Sequence, residues 1–207
     1  MTHDFDERYW QDHWDRAGER QPGGRLSPNP YVVQATSGLT PGTALDAGCG
    51  EGAEAVWLAG EGWKVTAVDI ASTALKRAAG RAAEHGVPDV RWVQADLTVW
   101  EPDTLFDLVA THYAHPATSQ LAFYERLAQW VAPGGILLIV GHLHTHEGQR
   151  HGDRPPAEAS VTAADITARL DSGVWTIDRA DDLVRAVTGP AGQQVVLNDV
   201  VVRATRR

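Results

Sequence analysis

Apolar runs and amphipathic stretches follow one another along most of the 207-residue chain. Short runs rich in Val, Leu, Ile and Ala predict strands buried on both faces, and segments with apolar positions three and four residues apart predict helices packed over them. The predicted strands are Thr43–Leu45, Trp63–Asp69, Val90–Gln94, Phe106–Thr111, Gly135–Gly141, Val174–Ile177 and Val195–Arg203, and the predicted helices are Glu51–Gly60, Ser72–His85, Ser119–Trp130 and Ala163–Leu170. Strands that alternate with helices indicate an α/β fold, a doubly wound parallel sheet with crossover helices.

The most informative segment follows the first predicted strand, where Asp46 precedes a turn that contains Gly48, Gly50 and Gly52. Glycines allow positive φ and leave no Cβ between the backbone and a ligand. The helix after the turn directs free N–H groups and its positive dipole end toward the same point. A carboxylate there suits a ligand with cationic or hydroxyl groups better than one with phosphates.

Two further carboxylates stand at the ends of the second and third predicted strands. Asp69 is placed to accept both hydroxyls of a ribose, and Asp96 is placed to accept from the exocyclic amine of adenine. Each aspartate alone is as well explained as a helix cap or a turn residue. Three carboxylates at three successive strand ends are harder to explain as caps, and they indicate a ligand that contains a nucleoside.

A dinucleotide-binding fold is the main alternative for such a turn. Its fingerprint, G-x-G-x-x-G, has a third glycine where this chain has Ala53, and alanine is tolerated there, so the glycines alone leave the matter open. Asp46 and Glu51 carry more weight, because both would crowd the position of a pyrophosphate. The carboxylates therefore disfavour a nicotinamide dinucleotide.

In these segments the chain resembles the class I S-adenosylmethionine-dependent methyltransferases. The matching motifs, in the order typical of the family, are Leu45–Gly52, Val65–Asp69, Gln94–Leu97, Phe106–Val109 and Leu127–Gly135. The resemblance runs from about Thr43 to His142 and is closest in look to the small-molecule branch that includes thiopurine and tellurite-resistance methyltransferases. It implies a mostly parallel, seven-stranded, Rossmann-like sheet with an antiparallel last strand, which a hairpin through Gly189–Gly192 would fit.

The resemblance also implies S-adenosylmethionine as the cofactor. The contacts it predicts are Asp46, Gly48, Cys49, Gly50, Asp69, Ile70, Asp96, Leu97, Thr111 and His112, with Trp14 from the N-terminal segment. It says almost nothing about the methyl acceptor. The fourth predicted strand continues into Thr111-His112-Tyr113, where methyltransferases of nucleic-acid amines often carry an Asn/Asp-Pro-Pro-Tyr-type motif, and this departure disfavours a DNA or RNA amine.

Charge and cysteine content narrow the setting further. The formal net charge of −9, with no clustered Lys and Arg before the short Arg203–Arg207 tail, disfavours nucleic acid as a partner. The longest apolar run, Ile136–Val140, is too short to span a bilayer, and the acidic N-terminus has no hydrophobic signal region, so we expect a cytoplasmic protein. The single cysteine, Cys49, excludes an intramolecular disulfide, and burial as a small apolar residue is favoured over a nucleophilic role.

An aromatic helical segment, residues 1–40, precedes the predicted methyltransferase domain, residues 41–207. Its regularly spaced rings are Phe5, Tyr9, Trp10 and Trp14. One interpretation is that these rings pack the segment onto the sheet. The other is a lid across the cofactor, with Trp10 or Trp14 beside the sulfonium, which an aromatic face attracts, and Tyr31 near the acceptor.

Histidines that follow the fourth and fifth predicted strands are candidates for a general base. They are His112, His115 and His142. An unperturbed imidazole titrates near neutrality and can take a proton from an acceptor, although packing explains each histidine equally well.

A cluster of potential metal ligands follows the fifth predicted strand. In an extended segment His142, His144 and His146 would share one face, a spacing that suits zinc or another divalent ion. Nearby are Glu147, His151 and Asp153. We favour a polar loop above the acceptor pocket and expect no metal.

The sequence thus predicts an S-adenosylmethionine-dependent methyltransferase that transfers a methyl group directly to a small molecule. A soft acceptor such as a thiol needs little or no base, whereas a phenol benefits from a histidine. Two alternatives from other classes remain: a nicotinamide-dependent oxidoreductase, and a protein that binds the cofactor without transferring its methyl group.

Overall fold

Two helices precede an alternation of strands and helices, as the pattern of apolar positions predicts. The computed structural model describes residues 5–20, 27–87, 89–143, 160–188 and 194–207. The helices within these ranges are α1 (Glu7–Arg20), α2 (Pro30–Thr36), α3 (Ala53–Gly60), α4 (Ser72–Glu84), α5 (Gln120–Gln129) and α6 (Ala163–Thr167). The strands are β1 (Thr43–Ala47), β2 (Lys64–Asp69), β3 (Arg91–Gln94), β4 (Phe106–His112), β5 (Val131–His142), β6 (Trp175–Thr188) and β7 (Gln194–Arg206).

The seven strands form one sheet in the order β3-β2-β1-β4-β5-β7-β6. Strands β1 to β5 are parallel, and β7 runs antiparallel to both β5 and β6. This arrangement confirms the predicted α/β fold with a mostly parallel sheet and an antiparallel last strand. β6 and β7 pair as far as Thr188 and Gln194, as the predicted hairpin requires, and residues 189–192 of that hairpin lie outside the described ranges.

Strand β6 is much longer than predicted. The sequence indicated only Val174–Ile177, whereas the strand runs from Trp175 to Thr188. β6 is one of the two edge strands of the sheet and, among the described residues, pairs only with β7, so its charged side chains keep contact with water. Its apolar pattern is therefore too weak to mark a strand.

The other elements differ from their predicted bounds by one to four residues, and β5 and α6 show the physical reasons. β5 begins at Val131 rather than Gly135, because Phe106 of β4 pairs with Val131 before the ladder shifts register. α6 ends at Thr167 rather than Leu170, where hydrogen bonds between residues three apart replace the α-helical pattern.

Helices cover both faces of the sheet and divide the core into two layers. Alternating residues of β5 show both layers: Leu137 and Ile139 pack with α5 and α6, and Leu138 and Val140 pack on the side of α2, α3 and α4. Full burial of such a side chain contributes roughly 1.5–3 kcal/mol. Among the described residues, no helix is both long and apolar enough to cross a membrane.

The carboxyl ends of the parallel strands meet at one edge of the sheet. The chain leaves β1 toward β2 on one side, and β4 lies on the other side of β1, so a crevice opens between their ends. The strand ends at this edge are Ala47, Asp69, Gln94, His112 and His142. The predicted site residues therefore converge on a place where open α/β sheets bind ligands.

Candidate functional site

The glycine turn after β1 is held by the neighbouring strand. The N–H groups of Gly48 and Cys49 both donate to the carbonyl of Val68, at 2.9 and 3.0 Å. Gly48 has a φ of 76°, and a Cβ on it would lie 2.5 Å from the Cβ of Ala114, so no side chain fits between the turn and the loop after β4. These two N–H groups are used within the protein rather than offered to a ligand.

Asp69, at the end of β2, supports the same turn. One carboxylate oxygen accepts the N–H of Gly50 and the other accepts the N–H of Ala71, both at 2.8 Å. The side chain is buried, and burial raises its pKa although these hydrogen bonds act in the opposite direction. Each carboxylate oxygen has a further lone pair, so Asp69 can accept hydroxyl groups of a ligand as well.

Asp46, at the tip of β1, has an unsatisfied carboxylate oxygen. The residue is 1% exposed, and its Oδ2 has no hydrogen-bond partner among the described residues. Burial, followed by the negative charge of Glu54 on α3, raises the pKa of Asp46 well above its ordinary value, although the backbone of Ala55 lowers it. Burying a carboxylate in this state costs free energy, and a cationic ligand group would offset that cost.

His112, at the end of β4, is a second unsatisfied group. Neither of its ring nitrogens has a partner within the part of the chain that the structure describes. Burial lowers its pKa, and the negative charge of Glu54 opposes this shift. The imidazole is therefore neutral at neutral pH and able to accept a proton or a hydrogen bond.

Sequence reasoning missed Glu54 and assigned Glu51 the wrong surroundings. Glu54 acts electrostatically on both Asp46 and His112, and its place in the first turn of α3 was the available signal. Glu51 forms ion pairs with Arg77 at 3.3 Å and with Arg81 at 2.6 Å. Its charge is compensated by α4, so the argument that Glu51 repels a pyrophosphate weakens, and the argument from Asp46 stands.

Cys49 and Thr111 are built into the protein around the turn. Cys49 is buried and unbridged, and burial raises the pKa of its thiol, as the buried apolar role predicts. The hydroxyl of Thr111 donates to the carbonyl of Ala47 at 2.8 Å and so joins β4 to β1. Neither side chain presents a free polar group, which limits them to shape contacts with a ligand.

Three further residues predicted to contact the cofactor, Asp96, Leu97 and Ile70, are also engaged locally. Oδ1 of Asp96 accepts from the N–H and the hydroxyl of Thr98, at 2.8 and 2.7 Å, so Asp96 is at least a turn residue. Leu97 is buried, and its carbonyl accepts from Arg126 at 2.9 Å. The carbonyl of Ile70 accepts from the side-chain amide of Gln94 at 3.4 Å.

Helix α1 lies over this edge of the sheet. Trp14 faces the glycine turn so closely that a Cβ on Gly50 would lie 2.8 Å from its Cζ2. The Trp14 carbonyl accepts from Arg77 at 2.6 Å, and Nε1 of Trp10 donates to the carbonyl of His115 at 3.2 Å. None of the α1 side chains that the structure describes is fully buried, so the helix is held by a few polar and ring contacts.

A buried polar cluster that the sequence did not predict lies beyond the turn, and we call it the tyrosine–aspartate cluster: Tyr31, Tyr113, Arg185 and Asp199. Asp199 on β7 is 0% exposed, accepts from the hydroxyls of Tyr31 and Tyr113 at 3.2 and 2.9 Å, and forms an ion pair with Arg185 of β6. Arg185 also donates to the Tyr113 hydroxyl at 2.9 Å. The available signal was a carboxylate next to the three consecutive valines of strand β7.

Asn29 connects this cluster to Glu54, whose charge acts on Asp46 and His112. It caps α2, with its Oδ1 accepting from the N–H of Tyr31 at 3.0 Å. Its own N–H donates to Glu54 at 2.9 Å, and its Nδ2 donates to the hydroxyl of Tyr113 at 3.4 Å. Asn29 thus contacts Glu54 through its backbone and the tyrosine–aspartate cluster through its side chain.

A column of rings runs from α1 to Tyr113, and we call it the ring column: Phe5, Trp10, His115, His142 and Tyr113. His142 stacks on Tyr113 with centroids 4.3 Å apart and on His115 at 5.6 Å. His115 stacks in turn with Trp10 at 6.4 Å and contacts Phe5 at 5.7 Å. Two of the three histidines predicted as candidate bases are therefore in contact, whereas His112 lies apart from the ring column and feels the charge of Glu54.

The metal-site alternative falls largely on residues that the structure does not describe. His144, His146, Glu147, His151 and Asp153 all lie outside the described ranges. Within those ranges, no three His, Cys, Asp or Glu side chains are grouped so that they could hold a metal ion.

Comparison with known proteins identifies the domain that carries this site. Residues 44–135 match the family described as "Methyltransferase domain". The chain is also 26% identical over 181 residues to 2-heptyl-1-hydroxyquinolin-4(1H)-one methyltransferase of Mycobacteroides abscessus, an alignment that covers 84% of this chain and 77% of that protein.

Solved structures share the fold. One, described as "Conversion of a Disulfide Bond into a Thioacetal Group during Echinomycin Biosynthesis", has a TM-score of 0.69 and 25% identity, and the match covers 98% of this chain and 90% of that chain. TehB from Haemophilus influenzae has a TM-score of 0.72 and 14% identity, and the match covers 89% of this chain and 64% of TehB. The likeness to TehB is one of fold alone.

Proposed function

This chain, through residues 44–135, belongs to the class I S-adenosylmethionine-dependent methyltransferases, and from that premise we propose that it transfers the methyl group of S-adenosylmethionine to a small-molecule acceptor. One observation carries the proposal: the carboxylate oxygen of Asp46 and the ring nitrogens of His112 are buried without partners beside a turn that Asp69 closes. Buried polar groups without partners are rare, and a ligand that completes them explains their presence.

The residues at this edge fit the chemical groups of the cofactor. Asp69 would accept the ribose hydroxyls, and Asp46, with Glu54 beside it, would balance the charge of the ammonium group. Asp96 would accept from the adenine amine. The remaining contacts proposed for the cofactor are Gly48, Cys49, Gly50, Ile70, Leu97, Thr111, His112 and Trp14. Bound S-adenosylmethionine would supply a methyl group activated by its sulfonium sulfur.

The protein mainly needs to align the reactants and exclude water. The glycine turn and Asp69 fix the position of the cofactor, because both are hydrogen-bonded within the sheet. Helix α1 acts as a lid, with Trp14 over the turn and Trp10 against the loop after β4. Excluding water strengthens the electrostatic interactions within such a site.

His142 is the general base that we propose for an acceptor with an O–H or N–H group. It ends β5 at the edge where acceptors bind, and it takes the acceptor proton on an imidazole nitrogen. Its neighbour His115 shares the ring column and supports the same face. A thiolate acceptor would not need this step, because it is already a strong nucleophile.

Three observations support a small molecule as the acceptor. The Mycobacteroides relative is named for a quinolone, and the ring column offers flat apolar surfaces that suit a planar or apolar compound. The net charge of −9 disfavours a nucleic-acid backbone.

As an alternative cofactor, a nicotinamide dinucleotide is disfavoured by the buried carboxylate of Asp46 at the turn.

Calorimetry with S-adenosylhomocysteine and with NAD tests the cofactor assignment. We expect binding of S-adenosylhomocysteine by the full chain and by Asp103→Ala, whose carboxylate is exposed, and strongly reduced binding by Asp69→Ala. Binding of NAD in place of S-adenosylhomocysteine would overturn the proposal.

A transfer assay separates an enzyme from a binding protein. Radiolabelled S-adenosylmethionine is incubated with 2-heptyl-1-hydroxyquinolin-4(1H)-one and, separately, with a simple alkyl thiol and a phenol. We expect label in at least one product, lost with Asp69→Ala. Tight binding of S-adenosylhomocysteine without transfer to a broad panel of such acceptors would favour the non-catalytic alternative.

A further inference from the structure

Tyr113 adopts a backbone conformation that costs free energy. Its φ is 56°, in the left-handed region, and Phe5 is the only other non-glycine among the described residues with a positive φ. Such a conformation is unfavourable for a residue with a Cβ and persists where the surroundings fix it. The N–H of Tyr113 donates to the carbonyl of Val140 at 2.8 Å, so the strained residue is attached to β5 as well as to β4.

Three polar groups hold the Tyr113 side chain by its hydroxyl. Arg185 donates to it at 2.9 Å, it donates to Asp199 at 2.9 Å, and Asn29 lies at 3.4 Å. Arg185 and Asp199 are themselves an ion pair, and Asp199 is fully buried. A hydroxyl with one fixed acceptor and fixed donors leaves the ring little freedom to rotate or tilt.

The fixed ring carries His142 on its face. The centroids are 4.3 Å apart and the planes are inclined by 27°. His142 and Asp199 are also direct cross-strand partners between β5 and β7, so both side chains lie on the same face of the sheet. The groups on this side of His142 are therefore Tyr113 and His115, both from the loop after β4, and Asp199, whose charge is paired with Arg185.

We propose that Tyr113 is the positioning residue for His142, held in its strained conformation by the Asp199–Arg185 pair so that the imidazole is fixed at the acceptor. This inference rests on the proposed function, in which His142 takes the acceptor proton. Tyr113 itself is not the base, because burial raises its pKa to about 12. Its hydroxyl remains neutral and orients the ring.

Two substitutions separate the parts of this device. Tyr113→Phe keeps the stacked ring and removes the hydroxyl contacts, and Tyr113→Leu removes the stack as well. Tyr124→Phe is the control, because Tyr124 is a buried tyrosine of α5 that packs in the other core layer. With the phenol or quinolone acceptor, we expect kcat to fall roughly tenfold in Tyr113→Phe and roughly a hundredfold in Tyr113→Leu, with KM nearly unchanged.

The decisive readout does not depend on the acceptor. In protein labelled at histidine Cε1, the NMR signal of His142 is assigned with His142→Gln and followed against pH in the presence of S-adenosylhomocysteine. An aromatic face favours the imidazolium, so its titration midpoint should fall by about half a pH unit in Tyr113→Leu, and its chemical shift should change in Tyr113→Phe. The Tyr124→Phe control should leave the His142 signal in place.

The outcomes distinguish this proposal from the proposed function. An unchanged His142 signal in both Tyr113 variants, with S-adenosylhomocysteine bound normally, overturns the positioning role whatever the activity. A shifted His142 signal in an enzyme whose His142→Gln variant remains fully active with every acceptor supports the contact but overturns the catalytic purpose. Failure of S-adenosylhomocysteine to bind the wild type refutes the proposed function first.

Discussion

The proposed cofactor side of this site, around Asp46 and His112, and the proposed acceptor side, around the tyrosine–aspartate cluster, differ in how their buried polar groups are paired. On the cofactor side, Asp46 and His112 have buried polar atoms without partners among the described residues. On the acceptor side, the tyrosine–aspartate cluster pairs a fully buried carboxylate with two hydroxyls and a guanidinium. The first half has polar groups for a ligand to complete, and the second has been completed by the chain itself.

The first half therefore depends on ligand, and the second half is organised beforehand. Incomplete buried groups reduce the stability of the protein without ligand and favour the bound state. A complete network does the reverse, because it stabilises one geometry before any acceptor arrives. Asn29, which touches Glu54 on one side and Tyr113 on the other, is where the two halves meet.

Breaking the complete half should have the largest effect on stability. Arg185→Met leaves the buried Asp199 charge without its cation, and we expect the free energy of unfolding to fall by about 3 kcal/mol. The double variant Arg185→Met with Asp199→Leu should recover most of that loss, because no buried charge remains. Chemical denaturation measures both, and the affinity of each folded variant for S-adenosylhomocysteine should stay within about twofold of the wild type. A stable single variant with weakened cofactor binding would reverse the roles of the two halves.

Asp69 offers the sharpest break on the cofactor side. Asp69→Ala should weaken binding of S-adenosylhomocysteine by about ten- to a hundredfold, since charge-assisted hydrogen bonds contribute roughly 1.5–3 kcal/mol. It also releases the N–H groups of Gly50 and Ala71, so melting temperature has to be followed alongside calorimetry. Asp103→Ala, with an exposed carboxylate, is the control. Normal affinity in folded Asp69→Ala would refute the ribose assignment.

The same contrast explains how much of this molecule could be predicted from the sequence. The alternation of strands and helices and the edge proposed for the cofactor follow from local features: apolar strands, and carboxylates such as Asp69 that come directly after a strand. The buried role of Cys49 follows from its place within the glycine turn. Local features predict these positions because the strand that buries a residue also defines where it lies.

The acceptor side escaped sequence reasoning for a physical reason. Tyr31 and Asp199 are 168 positions apart, and Tyr113 and Asp199 are 86 apart, so no local pattern relates them. Arg185 lies on the edge strand β6, whose many charged residues hide the apolar alternation by which a strand is predicted. Glu51 was misjudged similarly, because its partners Arg77 and Arg81 lie on the next helix and neutralise it.

A smaller effect tests the unsatisfied carboxylate itself. Burial raises the pKa of Asp46 well above its ordinary value of 3.8, so without ligand the folded state binds this proton more tightly than the unfolded state. The contribution of Asp46 to stability therefore declines as pH rises from that ordinary value toward the raised one. A cationic ligand group favours the carboxylate, so cofactor binding releases the proton and affinity should rise with pH over the same range, by at most tenfold per unit.

Asp46→Asn separates these two effects. The variant should be more stable than the wild type without ligand, increasingly so as pH rises, yet it should bind S-adenosylhomocysteine several-fold more weakly, with a flatter dependence on pH. Thermal melts measure the change in stability across the pH range, and calorimetry measures the change in affinity. If affinity and its pH dependence are unchanged in Asp46→Asn, the buried oxygen does not face the ammonium group.

The smallest expected effect concerns the lid, because helix α1 belongs to neither half and is held to both by few contacts. Its rings reach the glycine turn through Trp14 and the ring column through Trp10, and the described side chains of α1 are half-buried or exposed. If the helix closes over bound cofactor, its amides should exchange about tenfold more slowly with S-adenosylhomocysteine than without it. Arg77→Met, which removes the contact to the Trp14 carbonyl, should reduce that protection. The control is Arg169→Met, which removes an ion pair with Glu125 of α5 and should leave the protection of α1 unchanged. Equal and strong protection of residues 7–20 in both states would make Trp10 and Trp14 fixed packing residues, and α1 would then be part of the core rather than a lid.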